Sequence, residues 1–190
     1  DVITGNLRGG ISFSVFLVAT QLKNKKLTIL FSILAIGIHL AMFPIFMLYC
    51  IFYILNWKKR DWSFEVRFLT LVLCCGIMVL SMNYLYKAQD WQNGNMYSLM
   101  ILFITLFYIF IDKKVLYHHE GFIAVGLMLI LIYSYLIDYN SVRYLSYAYI
   151  YFAIFLIKLG KMKAIIKYNL FYFPIFLITV YFWIDNNINL

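Results

Sequence analysis

Long apolar runs separated by short polar clusters organise the whole chain. In order they cover Gly5 to Leu22, Leu27 to His39, Pro44 to Asn56, Phe68 to Tyr86, Met96 to Ile111, Phe122 to Ile137, Arg143 to Ile157 and Leu170 to Trp183. Runs of this length, bounded by polar clusters, read as helices rather than strands. The expected fold is therefore all-α: a polytopic helical membrane protein of about eight transmembrane segments, forming a single domain over residues 1–190.

The stretch from Leu27 to Leu55 admits two readings, one long tilted helix or a short hairpin turning around His39 to Pro44. Charge chooses between them, because basic residues concentrate in cytoplasmic loops. With a hairpin and an outer N-terminus, the inner side holds Lys23, Lys25, Lys26, Lys58, Lys59, Arg60, Arg67, Lys113, Lys114, Lys158, Lys161, Lys163 and Lys167, and only Arg8, Lys87 and Arg143 lie outside. A single helix lowers the best split from thirteen-to-three to eleven-to-five and leaves His39 and Pro44 in mid-membrane. The hairpin is preferred.

Composition excludes an ordinary soluble domain. Charged residues are 13% of the chain, against about 25% in soluble proteins, and apolar types reach 65% with a mean hydropathy of +0.85. The net charge of +8 sits mainly in clusters between the runs, where it orients spans rather than binding nucleic acid. Cys50, Cys74 and Cys75 lie inside apolar runs without the spacing of a metal site, and read as small packing residues. Asp1 stands where an initiator Met is expected and no signal-peptide pattern is visible, so the expectation is a fragment lacking upstream spans.

Three unusual residues fall at one depth. At 1.5 Å per residue, Arg8 lies about 21 Å above Leu22, His39 about 18 Å above Leu27 and Arg143 about 22 Å above Lys158. Each has a plain alternative: Arg8 as a snorkelling anchor, His39 as a turn residue bonded to a carbonyl, Arg143 as the ion-pair partner of Asp138. Together they imply an outward-facing cavity, since non-helical backbone around His39 at that depth needs protein or water beside it. Gly9 and Gly10 fit close approach of a ligand or another backbone.

Other constellations carry less. His118, His119 and Glu120 lack metal-ligand spacing and read as a solvated inner loop with Lys113 and Lys114. Gly5 and Gly9 match a helix-pairing motif, but Arg8 interrupts its apolar context. The outer loop from Lys87 to Asn95 contains Asp90 and Trp91, a carboxylate and an indole suited to sugar hydroxyls and faces; the plainer reading is an interfacial Trp anchor.

The segment Asn6-Leu7-Arg8-Gly9-Gly10-Ile11, the lysine-rich turn Lys23 to Lys26, the span ending Ile38-His39-Leu40-Ala41 and the proline soon after resemble the EpsG-type, Wzy-like polysaccharide polymerases. The match is most specific over Asn6 to Tyr53. Val142-Arg143-Tyr144-Leu145-Ser146-Tyr147 resembles the family's arginine-tyrosine segment. Gly9 replaces the family's usual Gln, and Leu40-Ala41 replaces a more polar pair.

The resemblance implies a membrane glycosyltransferase of the bacterial cytoplasmic membrane, with its active site facing outward. It would join oligosaccharide repeat units carried on undecaprenyl pyrophosphate into exopolysaccharide, capsule or O-antigen, without metal, nucleotide or other cofactor. Membrane lipid surrounds such a protein, and flippase and chain-length regulator proteins are the partners implied. Arg8 and Arg143 are the candidates for binding pyrophosphate, because arginine forks form bidentate charge-assisted bonds. His39 is the candidate catalytic base, with Asp90 and Asp138 as fallback bases and Trp91 as a sugar contact. A polysaccharide ligase, or a flippase of lipid-linked sugars, remains an alternative on these residues.

Overall fold

The computed structural model describes residues 2–22, 24–57, 62–85, 113–136 and 143–158, and they are all-α, with no strand among them. The helices are α1 (Val2–Gln21), α2 (Lys25–Ile38), α3 (Phe43–Leu55), α4 (Phe64–Leu85), α5 (His119–Leu136) and α6 (Arg143–Lys158); 3-10 turns cover Leu40–Met42 and Lys113–Tyr117. Six of the expected spans thus have a helix. Met96 to Ile111 and Leu170 to Trp183 lie outside the described residues. Two compact units divide the chain between Arg67 and Phe68, within α4.

In the first unit, α1 and α2 form an antiparallel pair. Asn24 caps α2, its side chain accepting the Lys26 N–H at 3.0 Å, which satisfies one of the free amides of the first turn. Ser12 Oγ donates across the pair to the Ala35 carbonyl at 2.5 Å. Beside Phe13 and Phe16, the buried positions are small or hydroxyl-bearing residues: Gly9, Ser12 and Ala19 on α1, and Thr28, Ser32 and Ala35 on α2. Such residues let helix backbones approach closely. Gly9 therefore does sit in a small-residue interface, although Arg8 follows the polar rather than the apolar pattern.

The hydroxyls of that interior are satisfied. Ser32 Oγ donates to Thr28 O at 2.7 Å and Thr28 Oγ1 to Asn24 O at 3.2 Å. Ala35 is wholly buried. Ala35→Leu is expected to force α1 from α2 and to cost about 1–3 kcal/mol, read as earlier unfolding in a denaturing-detergent titration; an unchanged midpoint would show that the pair tolerates extra volume.

The chain breaks at His39, whose backbone is extended (φ −151°, ψ 112°), and turns through Leu40–Met42 into α3. Pro44 explains why no single helix runs through: in one, its ring would meet the Leu40 carbonyl and a hydrogen bond would be lost. At the start of α3 its missing N–H costs nothing. The rings of Phe16 and Tyr49 meet edge-on, with centroids 6.1 Å apart. Had α2 continued straight, Tyr49 would lie about 28 Å along the axis from the level of Phe16. The contact requires the chain to turn back toward α1 after His39, as the hairpin reading expected.

Arg67 corrects the inner-loop inventory. It lies in the first turn of α4 and is only 2% exposed. Its Nε donates to Trp62 O at 3.1 Å and its Nη2 to Asn56 Oδ1 at 3.0 Å. Asn56, which ends α3, also donates Nδ2 to Phe52 O at 2.7 Å. The guanidinium thereby ties the end of α3 to the start of α4.

In the second unit α5 is buried on every side from Gly121 to Ile130, the signature of a central helix. Tyr144, Ala148, Tyr151, Phe152 and Phe155 of α6 recur at helical spacing on its buried face. Leu71, Cys75, Met78 and Val79 do the same on α4, and Cys75 Sγ donates to Gly126 O at 3.4 Å. Cys75 is a packing residue, as its place in an apolar run indicated.

The opposite face of α4 is apolar too. Val66, Leu69, Leu73, Ile77 and Leu80 form a continuous exposed stripe. Of the described helices, α4 alone, over Phe64–Met82, is long and apolar enough to cross a membrane; shorter apolar stretches cover Leu40–Leu55 and His119–Ser134.

Candidate functional site

The α1–α2 pair sets the register of the candidate site. Ser12 opposite Ala35 in an antiparallel pair makes Arg8, four residues before Ser12, level with His39, four residues after Ala35. Both lie about 20 Å from the Gln21–Lys25 turn. The structure therefore brings Arg8 and His39 to the same end of one helix pair, where the break is.

Their surroundings differ. Arg8 is exposed, while Gly9 beside it is buried. A Cβ at Gly10 would meet nothing within 4 Å, so open space rather than another backbone lies there. His39 is partly buried, with Nε2 shielded from solvent. Its backbone N–H closes α2 on Ala35 O at 3.0 Å, and its carbonyl accepts from Met42 N at 3.0 Å. These bonds hold the histidine backbone at the bend.

Arg143 opens α6 in the second unit. Asp90, Trp91 and Asp138 lie outside the described residues.

A further polar group, read from the sequence as part of a solvated loop, proves to be buried. Glu120 is 2% exposed in the first turn of α5, and its Oε1 receives Lys158 Nζ from the end of α6 and lies 3.0 Å from His119 Nε2. The rings of His118 and Phe155 meet at a tilt of 55°, with centroids 5.5 Å apart. The helix begins before the apolar run does, so His119 and Glu120 of a polar triplet that looked like loop belong to its first turn, with His118 just ahead of it.

Comparison with family models, with curated proteins and with solved structures returns no match. What the described residues define is the class: an all-α fold with exposed apolar faces on α2 and α4.

Proposed function

We propose that this chain is part of a polytopic membrane enzyme that joins lipid-linked oligosaccharide repeat units into a surface polysaccharide at the outer face of the bacterial cytoplasmic membrane. The observation that carries the reading is the shared level of Arg8 and His39 at the break between α2 and α3.

Apolar surface outside a partly hydroxyl-bearing interior supports a lipid setting. In the first unit Ser12, Thr28 and Ser32 are buried while Ile29, Leu30, Ile33 and Leu34 of α2 are exposed, and α4 separately exposes Leu69, Leu73, Ile77 and Leu80. Exposed apolar patches this continuous mark a membrane or partner surface. Leu40 and Phe43 are exposed at the break itself, where a turn in water would carry polar residues. Irregular backbone inside a bilayer needs protein or a water-filled cavity beside it.

The chemistry follows from the residue types. An acceptor hydroxyl attacks the anomeric carbon of the donor sugar, the bond from that carbon to the pyrophosphate oxygen breaks, and undecaprenyl pyrophosphate departs. Arg8 stabilises the leaving charge; His39 takes the hydroxyl proton. One such charge-stabilising donor is worth about 10²–10³ in rate elsewhere.

Cells in which Arg8→Lys or His39→Ala protein reaches normal membrane levels are expected to carry single repeat units in place of long polymer, because lysine lacks the fork and alanine the base. Polymer of unchanged length would overturn the assignment. Full-length polymer that is no longer attached to its final acceptor would point instead to a ligase using the same donor.

A further inference from the structure

Two helices of the second unit are joined by a charged group that the polymerisation reading does not use. Glu120 is buried in the first turn of α5, and both Lys158, the last residue of α6, and His119 approach the same carboxylate oxygen. Leaving a buried carboxylate without its partner is costly, so the pair holds only while both charges are present. We infer that Glu120, Lys158 and His119 form a pH-operated clasp between the start of α5 and the end of α6, closed at neutral pH and opened by acid.

The local packing gives the clasp something to release. The 3-10 turn Lys113–Tyr117 lies so tightly on Gly121 that a Cβ there would come within 2.2 Å of the Val115 carbonyl oxygen. Val115 and Leu116 are buried, as is Phe155 of α6, on whose ring His118 rests. Movement at Glu120 is thus transmitted to the turn and to the last turn of α6.

The groups that face Glu120 come from three segments. From α6 it faces Lys158; from its own segment, His119 and His118; the 3-10 turn supplies Lys113, Lys114 and Tyr117, all exposed. On α4, Cys75 meets α5 at Gly126, about 9 Å further along the helix. His119 precedes the apolar run that begins at Phe122. Burial holds its imidazole below the ordinary histidine value, Glu120 pulls the other way, and Lys158 and His118 lower it further.

A folded-state value that is depressed means the opened or unfolded chain takes up the proton first as pH falls. This contribution to the closed form is complete above the ordinary histidine value of about 6.5 and is lost below it.

The test is a distance measurement on the whole chain in lipid nanodiscs. Spin labels are placed on Lys114→Cys and Ile157→Cys, both exposed positions, with Cys50, Cys74 and Cys75 replaced by alanine. At pH 8 a single distance population is expected; below about pH 6 a second, longer population appears. In Glu120→Gln the longer population is already present at pH 8 and does not change with pH. In His119→Gln the transition is displaced to more acid conditions. If Glu120→Gln does not accumulate, the titration of the labelled parent and of His119→Gln decides. One distance population from pH 8 to pH 5 in the parent would overturn the clasp.

Discussion

Leu73→Arg is expected to remove most of the folded protein from the membrane fraction, by about 100-fold at the level of α4 insertion. Leu73 is 58% exposed and is the middle residue of Phe64–Met82, the stretch able to cross a bilayer. An arginine at a helix centre costs about 2.5–3.5 kcal/mol on insertion. In water the same substitution at an exposed site changes stability by only about 0.5 kcal/mol in either direction. Leu80→Arg, on the same stripe but nearer the end of α4, should do less harm, since a long side chain near a helix end reaches the headgroups. Quantitative blotting of alkali-extracted membranes distinguishes these outcomes. Equal, normal integration of both variants would mean that the stripe faces water, and the membrane reading would fall with it.

Gly121→Ala is the second large effect expected, this time from packing. The added methyl would sit 2.2 Å from Val115 O and 2.8 Å from Val115 Cγ2, and a backbone oxygen cannot swing aside as a side chain can. Either the 3-10 turn lifts from α5 or α5 frays at its start, at a cost of about 1–3 kcal/mol or more. Gly76→Ala supplies the control: its new Cβ would meet Tyr133 Cζ at 3.4 Å, an ordinary contact, and alanine is favoured over glycine in a helix interior by about 0.5–1 kcal/mol. Thermal unfolding in detergent should therefore separate the two variants, with Gly121→Ala lower. Equal melting temperatures would show that the turn lies less closely on α5 than these contacts require.

The helices were readable in the sequence because apolar runs announce themselves, whatever their surroundings. Their starts were less so. The run that begins at Phe68 belongs to a helix that begins at Phe64, because Glu65 and Arg67 interrupt the apolar pattern of its first turn. The start of α5 was hidden in the same way by His119 and Glu120.

The level of Arg8 and His39 was legible, since two helices joined by a short turn place residues equidistant from it side by side. The same arithmetic applied to α5 and α6, which are joined across residues 137–142, would have set Glu120 near Lys158. A polar triplet beside two lysines resembles a loop, and this hides the signal. Burial of Arg67 was not legible at all: it depends on Asn56 and Trp62 being brought around it by a bend that no periodicity encodes.

The break at His39 has an electrical consequence as well. Within four residues the chain passes from the carbonyl end of α2 to the amide end of α3, and helix ends carry partial charges of roughly half an electron, of opposite sign. The bend therefore sets a weakly negative pole beside a weakly positive one, close to Arg8. Anions reaching this end of the molecule are drawn to the α3 side and turned away from the α2 side, so the backbone alone already gives an approaching charged molecule a preferred orientation.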